Sequence, residues 1–208
     1  MSDTRPITRV VVAGGGTAGW LAATALVRQL GPLVDVTLIE SDDIGTVGVG
    51  ESTIPTARSF HAFLGVDEAA FMSATQATFK LGIAFENWHQ LGARYFHPFG
   101  TVGRAVAIAD FQHFWLEARV HGFGRDYTDY SREARAAAEG RFARDANETL
   151  AYAYHLDATA YARFLRTIAE PAGVTRVEGR IIRVEQDGEG GDIAALHLER
   201  GERIAGDL

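Results

Sequence analysis

The 208-residue chain contains no cysteine, which rules out disulfides, thiolate metal sites and cysteine nucleophiles. It is nearly without lysine: Lys80 stands alone, and every other strongly basic side chain is arginine. Positive charge is in deficit, with a net charge of -7, so nucleic acid and anionic membranes are not expected partners. No apolar run approaches the roughly 18 residues that cross a bilayer, so no membrane association is expected. The opening residues, MSDTRPITR, lack the basic-then-apolar pattern of a signal peptide, and a cytoplasmic location is expected. Repeats and low-complexity tracts are absent as well. His61, His89, His113 and His121 show no ligand spacing, so no metal site is expected.

What is present is an ordinary globular composition, 47% hydrophobic and 23% charged, sufficient for one good core. Ile7 to Ala13 is a β-branched apolar run of the kind found in buried parallel strands. A glycine-rich turn follows, then a helix over 20–30 stopped by Gly31-Pro32, then a strand over 34–40. Together these form a βαβ unit of about 30 residues. Beyond it the pattern predicts a glycine-rich loop over 44–54 and short helices over 55–64 and 67–75. Residues 79–88 read as extended, 95–99 as a short strand and 110–121 as a helix. Residues 131–149 read as a helical or loose surface excursion. Tyr161, Phe164, Leu165 and Ile168 mark a helix over 157–170 with Asp157 as its N-cap, followed by strands over 174–177, 179–186 and 193–199. The chain stops as a further strand begins at 203–208, from which we expect a piece of a longer protein.

Gly14, Gly16 and Gly19 satisfy G-x-G-x-x-G directly between a strand and a helix. The first glycine permits the tight turn, the second lets a pyrophosphate approach, and the third lets helix and strand pack closely. Free amides and the helix dipole then favour the anion. Glu40 ends the next strand, about 20 residues further on, where an acid binds ribose hydroxyls. The motif alone does not choose between FAD and NAD(P). The N-terminal position of the unit and the later helix-plus-strands block favour FAD by architectural analogy.

Several landmarks in register resemble the flavin-dependent tryptophan halogenases, over essentially the whole chain. Val12 to Trp20 resembles that family's opening, with a tryptophan directly after the third glycine. Gly48 to Pro55 (GVGESTIP) resembles its loop between flavin and substrate sites. Phe79-Lys80, followed by Ile83, Phe85, Asn87 and Trp88, resembles the segment carrying its catalytic lysine. His97-x-Phe99-Gly100 resembles a substrate-pocket strand, and His113-x-Trp115-Leu116 and His155-x-Asp157-Ala158 match further landmarks. The fold this implies is α/β: a Rossmann-like FAD-binding fold of the flavin monooxygenase type, incomplete, with part of an added substrate-binding region. On this division 1–56 and 151–208 form the FAD-binding core, and 57–150 begin the substrate side.

The resemblance implies a chemistry in which reduced FAD and O2 convert chloride or bromide to a hypohalous acid, which travels through a tunnel to a lysine beside an electron-rich aromatic such as tryptophan or indole. FADH2 would come from a separate flavin reductase, and a homodimer is compatible with it. Lys80 takes the catalytic place. It lies in an apolar segment, and a lone lysine in an arginine-rich chain marks a position that arginine does not serve; the competing reading is a solvated surface lysine. Ile83, His97 and Phe99 are the substrate candidates, with Phe99 able to stack on a flat ring. Gly14, Gly16, Thr17, Ala18, Gly19, Glu40, Ser41, Val49, Glu51 and Ile181 are the cofactor candidates. Glu51 reads as a loop-positioning residue near flavin, or as a cap for the helix near Pro55. His155 and Asp157 read as a helix-entry feature, with Asp157 the N-cap, rather than as catalysts.

The family's Trp-x-Trp-x-Ile-Pro, the glutamate paired with the lysine and the halide site do not occur in this chain. The isolated chain is therefore expected to be inactive. Two other readings remain: another FAD-dependent aromatic monooxygenase that hydroxylates, and a non-catalytic FAD-binding fragment.

Overall fold

The structure is a computed structural model. It describes residues 6–45, 51–144, 150–188 and 191–208. In chain order the elements are β1 (Arg9–Ala13), α1 (Thr17–Leu30), β2 (Asp35–Glu40), β3 (Glu51–Ser52), α2 (Thr56–Phe63) and α3 (Glu68–Thr75). Then come β4 (Thr78–Lys80), β5 (Gly82–Glu86), β6 (Arg94–Pro98), α4 (Phe111–Val120) and α5 (Arg132–Ala138). The last are β7 (Ala153–Leu156), α6 (Ala158–Ala169), β8 (Thr175–Glu178), β9 (Ile181–Gln186), β10 (Ile193–Leu198) and β11 (Arg203–Ala205). The chain divides into two units. The first comprises Met1–Glu51, Ala62–Ala77 and Leu156–Leu208; the second comprises Ser52–His61 and Thr78–His155.

The first unit carries the βαβ segment with the glycine-rich turn. β1, β2 and β8 form a parallel sheet with β2 in the middle. β1 falls in the β-branched run that the sequence marks as a buried parallel strand, and Val10 of β1 and Val36, Leu38 and Ile39 of β2 are buried. α1 buries Trp20, Ala23, Thr24 and Val27, the one-face spacing of a helix. α6 buries Ala158, Tyr161, Ala162, Leu165 and Ala169 in the same way and packs on α1. Asp157 caps α6, its Oδ1 accepting from the Ala160 amide at 2.9 Å, as the sequence predicts. α3, capped by Asp67, rests on α6 through Phe71, whose ring meets Tyr161 and Phe164 edge-on. For this reason residues 62–77 belong with the first unit although they lie within the stretch 57–150. β9, β10 and β11 form an antiparallel sheet, and Leu196 and Leu198 cluster with Ile39, joined by Val11, Val177, Ile181 and Ile204.

The second unit holds a small sheet in which β7 lies between β3 and β4, and a separate hairpin of β5 and β6. One expectation changes here. The extended stretch 79–88 is two strands, not one: β4 pairs with β7 and β5 with β6, so the chain changes sheet at Leu81. β7, a strand that the sequence does not mark, holds His155 two residues before the Asp157 cap of α6. Local sequence misses β7 because AYHL lacks a β-branched signal; its place is fixed by pairing with residues 78–80, far away in the chain. In the excursion 131–144 a short helix forms, and it is not loose. Glu133 is buried and accepts from the Ala151 amide at 2.9 Å and from Ser131 Oγ at 3.3 Å. Val49 lies outside the described residues.

Candidate functional sites

The first site is a cleft of about 900 Å3 in the first unit. Gly14, Gly16, Thr17, Ala18, Glu40, Ser41, Glu51 and Ile181 all line it, so most of the expected cofactor residues converge on one space. Gly14 has φ +115°, a conformation closed to most side chains, and its amide donates to the Ile39 carbonyl at 2.8 Å, tying the turn to the end of β2. A Cβ added at Gly14 or Gly16 would meet nothing, so these glycines leave bare backbone facing the open side. Gly19 does the reverse: a Cβ there would collide with the Gly14 carbonyl oxygen. It does not line the cleft, and its part is the close packing of helix on turn. Gly16 caps α1 without a side chain and no acid sits in the first turn, so the N-terminal amides of α1 are available to an anion. A cradle of this kind fits the pyrophosphate of a dinucleotide.

Glu40 lines the cleft with its carboxylate already engaged. Trp20 Nε1 donates to Oε2 at 3.1 Å, Arg176 Nε donates to Oε1, and Arg166 NH1 stands 3.6 Å from Oε1. Trp20, the residue directly after the third glycine, is 1% exposed, and its indole fixes the Glu40 carboxylate. A carboxylate offers about four acceptor positions, so room for ribose hydroxyls remains. Arg176 also donates to Asp42 at 2.7 Å and to Glu178 at 3.2 Å, which fixes the loop after β2. Thr17 Oγ1 donates to the Ala158 carbonyl at 3.4 Å, and Ser41 Oγ accepts from the Asp43 amide at 3.3 Å. Sequence reasoning missed Arg163 and Arg166, which bring positive charge from α6 to the cleft. Their spacing of three on a helix was visible, but nothing local says which face meets the turn.

The second site surrounds Lys80 in the second unit. β4 places Lys80 inward, 8% exposed, which overturns the solvated-surface reading. Its Nζ donates to Ser52 Oγ at 2.8 Å and to the Thr53 carbonyl at 3.1 Å. The Phe99 ring centroid lies 5.4 Å away, within cation–π range. Phe99 lies just past β6, where its amide donates to the Leu81 carbonyl at 2.9 Å. Thr53 is held in turn by β7: its amide donates to the Tyr154 carbonyl at 2.9 Å, and its Oγ1 accepts from the Tyr154 amide at 3.0 Å. Burial pulls the Lys80 pKa below the usual 10.5, because a charged ammonium loses solvation there. His155 pairs with Thr78 while Lys80 pairs with Ala153, so the imidazole shares a face with the lysine. Its pKa is lowered, first by desolvation and then by the Lys80 charge. The structure therefore joins Lys80 to Phe99. Ile83 and His97 form a separate directly opposed pair on β5 and β6. Ser52, Thr53 and His155 were missed as neighbours of Lys80, since residues nearly 30 and 75 positions away carry no local signal.

Among the described residues no cluster of His, Asp or Glu could hold a metal ion, and no helix is long and apolar enough to cross a membrane.

The fold is a mixed α/β one that carries a glycine-rich turn of the dinucleotide-binding type and a buried, hydrogen-bonded lysine. Residues 9–208 match the tryptophan halogenase family, and the chain belongs to it. Xcc4156, a flavin-dependent halogenase from Xanthomonas campestris, superposes with a TM-score of 0.90 at 58% identity, covering 98% of this chain and 41% of that one. BrvH, a flavin-dependent halogenase from Brevundimonas sp. BAL3, gives 0.84 at 41% identity, covering 98% and 42%. Tryptophan 6-halogenase SttH from Streptomyces toxytricini is 34% identical, over 99% of this chain and 44% of its own length. The chain thus spans less than half the length of the relatives it matches.

Proposed function

We propose that this chain provides the FAD-binding cleft and the lysine-bearing part of the substrate side of a flavin-dependent halogenase acting on an electron-rich aromatic such as tryptophan or indole. The observation that carries the reading is Lys80: the one lysine of the chain is buried, fixed by two acceptors and set beside an aromatic ring. When bound, reduced FAD supplies with O2 the oxidising power that turns chloride or bromide into an electrophilic halogen reagent. The chain's own residues do the rest. The Gly14–Gly16 backbone and the α1 amides hold the pyrophosphate, Glu40 the ribose, and Arg163 and Arg166 balance negative charge. Glu51, Ser41 and Ile181 line the remaining wall of the cleft. Lys80 hydrogen-bonds the hypohalous acid through Nζ and presents it to a ring carbon. Phe99 supports the aromatic substrate, with Ile83 and His97 as further contacts.

On this reading the FAD-binding core is residues 1–56 and 151–208 and residues 57–150 begin the substrate side, except that residues 62–77 pack with the FAD-binding part. FADH2 comes from a separate flavin reductase, the setting is cytoplasmic, and neither nucleic acid nor membrane takes part. The test is an assay with flavin reductase, halide, O2 and an indole panel, run on this chain and on the product of its complete coding sequence. Halogenated product is expected from the latter, and none from the 208 residues alone. Hydroxylated product in place of halogenated product would overturn the reading.

A further inference from the structure

We propose that Ser52 is a positioning residue for Lys80, its hydroxyl and the neighbouring Thr53 carbonyl together occupying two of the three hydrogen-bonding directions of the lysine nitrogen. The inference rests on the role of Lys80 proposed above. A neutral amine has two N–H donors and one lone pair, whereas an ammonium has three donors. The Thr53 carbonyl only accepts, and it stands 3.1 Å from Nζ; Ser52 Oγ stands 2.8 Å away. Both acceptors are therefore satisfied in either protonation state. What remains is one N–H in the ammonium and the lone pair in the amine, aimed in one direction.

Each element packed around the amine has a part in this arrangement. β3 and the residue after it supply both acceptors, β7 supplies the imidazole of His155, and the segment after β6 supplies the Phe99 ring. Among the described residues no carboxylate pairs with Nζ, so the Ser52 hydroxyl is its one side-chain acceptor there. Burial favours the neutral amine, whereas the two acceptors and the Phe99 ring favour the cation. Removing the hydroxyl should therefore tip the balance further toward the amine and free the side chain to turn.

Because Lys80 is the one lysine, 15N-lysine labelling of this chain gives a single Nζ signal whose titration is read directly. Ser52→Ala is expected to lower the midpoint by about one pKa unit, the size of one hydrogen bond to a charged group. Ser52→Thr, which keeps the hydroxyl, is expected to return the midpoint toward that of the parent. A merely structural role would change the unfolding midpoint but not the titration. An unchanged Nζ midpoint in folded Ser52→Ala overturns the inference. In the product of the complete coding sequence, Ser52→Ala is expected to lower kcat for halogenation without raising KM for the indole, and Ser52→Thr to restore it. If the Nζ midpoint moves but Lys80→Ala still halogenates, the positioning contact stands and the halogenase role of Lys80 falls.

Discussion

The cleft of the first unit and the lysine site of the second are constructed by opposite means. In the cleft the chemistry is carried by backbone. Backbone stands bare at Gly14 and Gly16, Gly19 lets helix and turn close, and Glu40, Arg163 and Arg166 add side chains to the wall. In the lysine site the chemistry is carried by one side chain, and the backbone serves to bring acceptors to it. The turn at the heart of the first site is written in consecutive residues, and Glu40, Arg163, Arg166 and Ile181 join its wall from elsewhere in the chain. The second is assembled from positions 52, 53, 80, 99 and 155, which meet only through strand pairing. A backbone site should therefore fail through steric collision, and a side-chain site through loss of function in a folded protein.

The largest effect on that comparison is expected at Gly19. A Cβ there has no space to move into, because the Gly14 carbonyl it would strike is itself part of the turn. Gly19→Ala should cost about 3 kcal/mol in denaturant unfolding and weaken FAD in a fluorescence titration. Full stability with unchanged FAD binding would show that the turn is softer than its geometry indicates. Trp20→Phe is next. It removes the indole donor to Glu40 from a fully buried position and should cost about 1–2 kcal/mol, with a modest loss of FAD affinity as Glu40 loses its aim. An equal loss of FAD affinity in the Glu40→Ala, Trp20→Phe double variant and in Glu40→Ala alone would place the whole effect in that bond.

The smallest effect belongs to neither site. Asp207 accepts from the Thr8 amide, Thr8 Oγ1, the Arg9 amide and Arg9 NH2, all within 3.0 Å, at one end of β1. These donors, the Arg9 guanidinium first, hold its pKa well below the ordinary 3.8. A depressed carboxylate stabilises the fold above its unfolded pKa and loses that contribution as pH falls through the folded one. Asp207→Asn should thus lower Tm slightly at neutral pH, and the gap from the parent should close as pH drops below 3.8. A gap independent of pH would mean that the charge plays no part.

The contrast also explains what was legible in advance. The β1–turn–α1–β2 unit and α6 with its Asp157 cap could be read from local patterns, because periodicity and caps are local physics. That Lys80 stands apart could also be read, through its isolation in composition, and the structure shows it buried; its chemical role is the proposal above. Its surroundings could not be read. β7 has no β-branched run of its own, so the strand that holds His155 could not be read, and the break at Leu81 is visible only once β4 and β5 are seen to pair with different strands. Arg163 and Arg166 were hidden for a similar reason: the face they occupy becomes meaningful only when α6 lies against α1.

The central claim is that Lys80 acts on the halogen reagent and does not merely fill a buried position. Its most direct test is halogenation by the Lys80→Ala and Lys80→Arg variants of the complete coding sequence, with FAD binding measured alongside. The account predicts a loss of turnover of at least about a hundredfold in both variants, with FAD affinity preserved. Turnover within twofold of the parent in Lys80→Ala, with flavin bound normally, would contradict it.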